Sequence, residues 1–113
     1  MNEDQVLAAW DESLALLDAY ESLLSASQKE TLSLYFRFNL SLSEIAEEKG
    51  ISRAAIFDAL KKGLAKLKKA EESLHLLAKA RRLDEGCAAI ESASSLEEAQ
   101  RAAHALQEEY HGL

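Results

Sequence analysis

The chain has 113 residues, a formal charge of −7, no proline, four glycines and one cysteine, so it fits one small domain and excludes a disulfide framework. Ala, Leu, Glu, Ser and Lys dominate, which favours helix over strand almost everywhere. No apolar run approaches bilayer length and the acidic start Met1–Asp4 lacks a signal-peptide pattern, so an all-α, cytoplasmic protein with no membrane insertion is expected.

The first helix is expected from about Glu3 to Leu23. Val6, Trp10, Leu14, Leu17, Tyr20 and Leu24 recur at three and four, the spacing of one helical face. The second starts after Ser25, which forms a capping box with Gln28, and carries Leu32, Tyr35 and Phe36. It ends near Asn39, a residue that tolerates the left-handed conformation, with Phe38 and Leu40 folding inward.

Ser41 and Glu44 repeat the box and open a short helix, Leu42–Lys49, that stops at Gly50. Ile45, Ala46 and Ile51 are expected to face inward, and Ser52 to cap a further helix from Arg53. Two helices joined by a few residues around a glycine form a helix-turn-helix, placed at about residues 42–61. Ile56 and Leu60 dock its second helix, and small Ala46 allows the close crossing.

From Arg53 one long helix is expected to about Arg82, bent near Gly63. Leu60, Leu64, Leu67, Leu74 and Leu77 keep a roughly 3.5-residue spacing, interrupted at Glu71, and offer a homodimer seam. Asp84 then caps a helix through Cys87 and Ile90 to about Ser92. Ser95 and Glu98 form a third capping box, and Leu96, Ala99, Ala103 and Leu106 carry an apolar face toward Tyr110. Residues 1–82 are thus one helical domain with the helix-turn-helix inside it, and 83–113 its C-terminal helical extension.

Charge is unevenly spread. Between Arg53 and Arg82 nine basic residues face three acids, whereas the rest of the chain has four basic and seventeen acidic residues. A basic segment in an acidic body attracts a polyanion locally.

No enzyme constellation is present: there is no phosphate loop, no paired cysteine at metal spacing and no convergent Ser-His-Asp group, so no enzyme, cofactor or metal is expected. His75, His104 and His111 are dispersed, and Cys87 reads as a small apolar residue of a helix face. The helix-turn-helix carries the chemistry. The start of its second helix would meet a nucleic acid or other partner through Ser52, Arg53 and Phe57, followed by Lys61, Lys62, Lys66, Lys68 and Lys69. Phe57 suits an unpaired base, a protein surface or the chain's own core. Asp58, on the same face, repels phosphate.

Leu24–Leu77 resembles the YlxM family, small bacterial proteins associated with the signal recognition particle. The resemblance lies in Leu24-Ser25-Ala26-Ser27-Gln28, in Leu40-Ser41-Leu42-Ser43-Glu44-Ile45-Ala46-Glu47-Glu48, in Ile51-Ser52-Arg53-Ala54-Ala55-Ile56-Phe57-Asp58, and in Leu74-His75-Leu76-Leu77. Lys49, where the family has an apolar residue, and Ala54, where it has a polar one, depart from the pattern. The helix-turn-helix alone is also similar to region four of bacterial sigma factors, which implies a DNA-binding regulator. The resemblance to YlxM implies an accessory or regulatory role in protein targeting, through the particle's RNA or its GTPase.

Overall fold

Serine caps and left-handed turns, rather than proline, divide this helix-forming chain. The structure is a computed structural model and describes residues 9–110. Those residues form six α-helices, α1 (Trp10–Tyr20), α2 (Ala26–Phe36), α3 (Leu42–Lys49), α4 (Arg53–Leu74), α5 (Leu76–Glu91) and α6 (Leu96–Tyr110), and a 3-10 turn at Glu21–Leu23. No strand occurs among the described residues. Two compact units follow one another in sequence, the first ending at His75 and the second starting at Leu76.

In the first unit the capping boxes form as the spacing predicts. The Ser25 and Ser41 hydroxyls accept the backbone N–H of Gln28 and Glu44, and the Gln28 and Glu44 side chains accept the N–H of the two serines. The Ser41 N–H and then its hydroxyl hold the Glu44 carboxyl below the usual carboxylate range. Its share of stability is therefore present at neutral pH and is lost as pH falls through that lowered value.

Gly50 takes φ +69° and Asn39 φ +56°, the left-handed region that stops α3 and turns the chain after α2. At Gly50 the ending is a Schellman motif: the N–H groups of Gly50 and Ile51 bond to the carbonyls of Glu47 (3.3 Å) and Ala46 (3.1 Å).

The core comes from α1 to α4. Leu16, Leu17, Tyr20, Leu32, Phe36, Ile45, Ile56, Leu60, Leu64 and Leu67 are essentially inaccessible, and Ala46 and Leu42 are buried beside them. Leu14 and Trp10 are half-buried, while Val6 and the start of the first predicted helix lie outside the described residues. Trp10 packs on Tyr35 and Phe36 with ring centroids 5.0 and 5.1 Å apart. Gly63 is buried where α4 crosses α2, and a Cβ there would stand 2.7 Å from Leu32 Cδ1.

Several expectations are corrected. Phe38 is 67 % exposed and Ile51 48 %, because each lies in a turn next to a left-handed residue, outside the helices whose buried faces build the core. The long helix ends at Leu74 rather than Arg82: His75 takes φ +55°, and its N–H closes the helix on the Glu71 carbonyl at 2.8 Å. Histidine is among the few non-glycine residues that enter this region readily. The leucine row is not a seam between copies, since Leu60, Leu64 and Leu67 are buried in the chain's own core. Glu71, which interrupts that row, accepts a 2.6 Å hydrogen bond from the buried Tyr20 hydroxyl and so ties α4 to α1.

In the second unit α5 and α6 form a helical hairpin. Asp84 lies inside α5 rather than at its start. Ser95 caps α6 by accepting the Glu98 N–H at 3.1 Å, but the Glu98 carboxylate accepts from the Ser94 hydroxyl and N–H instead of completing a box with Ser95. These bonds hold the Glu98 carboxyl below its ordinary value. Cys87 is exposed.

Trp10, the only tryptophan, reports on the first unit. Alanine at Ser41 removes the hydroxyl of the α3 cap and is expected to cost about 1 kcal/mol in urea unfolding followed by Trp10 fluorescence. Gly63→Val is expected to cost about 1–3 kcal/mol, because the added atoms meet the packed Leu32 side chain. An unchanged or raised midpoint for Gly63→Val would contradict the close crossing of α2 and α4.

Candidate nucleic-acid interface

The second helix of the helix-turn-helix, α4, has its inward direction set by Ile56, Leu60, Gly63, Leu64 and Leu67. At roughly 100° per residue the opposite side carries Ala54, Asp58, Lys62, Ala65 and Lys69, all exposed. Lys61 lies at one edge of this arc and Lys66 at the other, also exposed.

The eight residues singled out in the sequence therefore separate into groups. Lys61, Lys62, Lys66 and Lys69 share one solvent-facing side of α4 over about two turns. Ser52 is the N-cap, its hydroxyl accepting the Ala55 N–H at 3.0 Å, and Arg53 is exposed in the first turn. Phe57 is half-buried, on the flank that turns from the arc toward the core.

Lys68 is exposed just outside the arc, about 20° beyond Lys61 toward the core side, and differs from it in its surroundings. It lines a cleft of about 230 Å³ together with Glu12, Leu16, Glu71 and Glu72. Three acidic residues share that cleft with one lysine, so its lining is net negative and does not attract a phosphate.

Asp58 is less adverse than its position suggests. Its carboxylate is 2.9 Å from Lys62 Nζ, one helical turn on, so the two charges largely offset each other at close range. The sequence contained that signal as an acid–lysine pair at i and i+4.

The first helix of the motif carries the opposite charge. Glu44, Glu47 and Glu48 of α3 are exposed. Lys49 is directed inward: its side chain is only 17 % exposed and its ammonium lies 3.6 Å from Glu30, which places a long apolar stem where an apolar residue was expected. Arg37 is a clamp between helices. It donates to Asp18 at 2.6 Å, to Glu21 at 2.8 Å and to Ser33 Oγ at 3.2 Å. Hydrogen bonds to Asp18 and then Glu21 raise its pKa above the ordinary arginine value.

Among the described residues no group of His, Cys, Asp and Glu is arranged to hold a metal ion, and no helix is long and apolar enough to cross a membrane.

Comparison with known proteins agrees with this architecture. Residues 10–107 match the UPF0122 family, described as "helix-turn-helix protein, YlxM / p13 like". The UPF0122 protein YlxM of Bacillus subtilis is 48% identical over 64 residues, covering 57% of this chain and 58% of that one. A UPF0122 protein of Halalkalibacterium halodurans is 48% identical over 64 residues (57% of this chain, 59% of its own length), and one of Pediococcus pentosaceus is 46% identical over 63 (56% of each). The chain thus spans less than two thirds of the length of these curated relatives. With the family pattern running from α1 into α6 and the helix-turn-helix formed by α3 and α4, the chain belongs to the UPF0122 family of YlxM-like helix-turn-helix proteins.

Proposed function

We propose that this chain is a non-enzymatic accessory protein of the signal recognition particle pathway that binds the particle's RNA through α4. The observation that carries the reading is the exposed arc of Lys61, Lys62, Lys66 and Lys69 on the second helix of the motif, in a chain of net charge −7. The arc supplies attraction for a phosphate backbone, and Arg53, exposed in the first turn on another side of the helix, adds a separate positive charge near its start. Half-buried Phe57 beside the arc offers an edge against which an unpaired base or a protein side chain can pack. The resemblance to YlxM proteins in the motif and in the Leu74–Leu77 run supports the pathway assignment, with the particle's GTPase as the protein partner. The reading puts the chain in the cytoplasm, as a homodimer formed on a surface other than the leucine row of α4.

A sigma-like reading of duplex DNA would bring α3 across the phosphate backbone while α4 entered the major groove. Exposed Glu44, Glu47 and Glu48 on α3 oppose that approach. Single-stranded loops of a folded RNA can meet the α4 arc without passing over α3. Retention of a discrete duplex from a random pool at low salt would reverse this preference.

Filter binding separates the outcomes. The particle's RNA is expected to bind more tightly than an unrelated RNA of equal length, and Lys61→Glu with Lys62→Glu to weaken binding by about tenfold or more. Equal affinity for both RNAs would overturn the assignment to the particle. An undiminished affinity in the double variant would overturn the role of the arc.

A further inference from the structure

The hairpin α5–α6 holds no fully buried residue over 76–109, although its apolar residues are regularly spaced. Along α5, Ala80, Leu83, Cys87 and Ile90 recur at three, four and three. Along α6, Leu96, Ala99, Ala103 and Leu106 recur at three, four and three. This is the spacing by which helices pack side chains into one another's holes.

Only part of each row is used within the hairpin. Gly86 is where α5 meets Leu106 of α6, with no room for a Cβ, and Ile90, Ala99 and Leu106 are half-buried. Leu83 is 47 % exposed and Leu96 75 %, and Ala80, Cys87 and Ala103 are exposed with them. Leu83 and Cys87 are rotated from the Gly86 contact line by roughly 60–100°, and Ala103 and Leu96 from the Leu106 line by a similar angle in the same sense. In two antiparallel helices equal rotations of one sense reach the same side. The uncovered residues therefore form one common apolar face.

We propose that this face pairs with the same face of a second copy of the chain, closing an antiparallel four-helix bundle. The inference assigns a surface to the homodimer proposed above and rests on that reading. Two helices of 16 and 15 residues cannot enclose a core, whereas four can. The face is also self-complementary in hydrogen bonding in one arrangement. Its rim on α5 carries Asp84 and Glu91, and its rim on α6 carries Gln100, His104 and Gln107. Placing α5 against α6 of the second copy sets the Asp84 and Glu91 carboxylates beside the Gln100 and Gln107 amide donors, while His104 lies beside Glu108 of its own helix. Placing α5 against its own counterpart would set carboxylate against carboxylate. A two-fold axis parallel to the helices produces the favourable arrangement and leaves all adjacent helices antiparallel.

Light scattering of the full chain after size exclusion tests the proposal. The mass is expected to be twice the 12.5 kDa of one chain. Leu83→Asp and, separately, Leu96→Asp are expected to raise the dissociation constant at least tenfold. Arg81→Ala, on the other side of α5, is expected to leave the mass unchanged. Leu96 is so exposed that its replacement removes little internal packing, and far-UV circular dichroism checks that the helices persist. A monomer at every concentration would overturn both the homodimer and this surface. A dimer that survives both aspartate variants with its helices intact would overturn the surface alone.

Discussion

Burial of one stripe of α4 organises the first unit. Ile56, Leu60, Gly63, Leu64 and Leu67 are the side of the helix that α1, α2 and α3 share as a core. Their depth depends on Gly63, where α4 comes so close to Leu32 that a single added carbon would collide with it. Fixing the inward side also fixes the outward one. Lys61, Lys62, Lys66 and Lys69, whose sequence positions look scattered, become an arc because they fall on the side away from that stripe. Tyr20 and Glu71 secure the far end of the same helix by a hydrogen bond instead of another apolar contact.

Charge then distinguishes surfaces that are otherwise alike. Lys68 belongs to the same lysine series as Lys61, Lys62, Lys66 and Lys69, yet it lines a cleft with Glu12, Glu71 and Glu72. Arg37 and Lys49 are directed at Asp18, Glu21 and Glu30, so these cations join helices and do not add to a surface field. What remains on α4 is a small positive region, while the preceding helix α3 exposes Glu44, Glu47 and Glu48. Such an arrangement favours a polyanion that approaches α4 from one side over a duplex that must lie across both helices of the motif.

Local chemistry made much of the fold legible in the sequence. Ser25, Ser41 and Ser52 mark the starts of α2, α3 and α4, and Gly50 marks the turn, because capping and left-handed turns depend on residues only a few positions apart. The family pattern around Ser52–Asp58 was legible for the same reason, and residues 10–107 match that family. The end of α4 at His75 was not legible, since no proline or glycine announces it and the leucine spacing continues through it. The leucine row suggested a contact between copies because periodicity records only that a face is apolar, not whether the chain itself covers it. The separation of Lys68 from the arc needed α1, whose Glu12 is distant in sequence and adjacent in space.

On the proposed reading the α4 arc, and not positive charge in general, holds the RNA backbone. The dependence of binding on salt measures this directly, because each phosphate neutralised by a cation adds to the slope of log affinity against log salt. The slope for the particle's RNA is expected to fall by about one on changing Lys61 or Lys69 to Gln and to stay the same on changing Lys68 to Gln. A slope near zero, or an equal fall for Lys68→Gln, would contradict it.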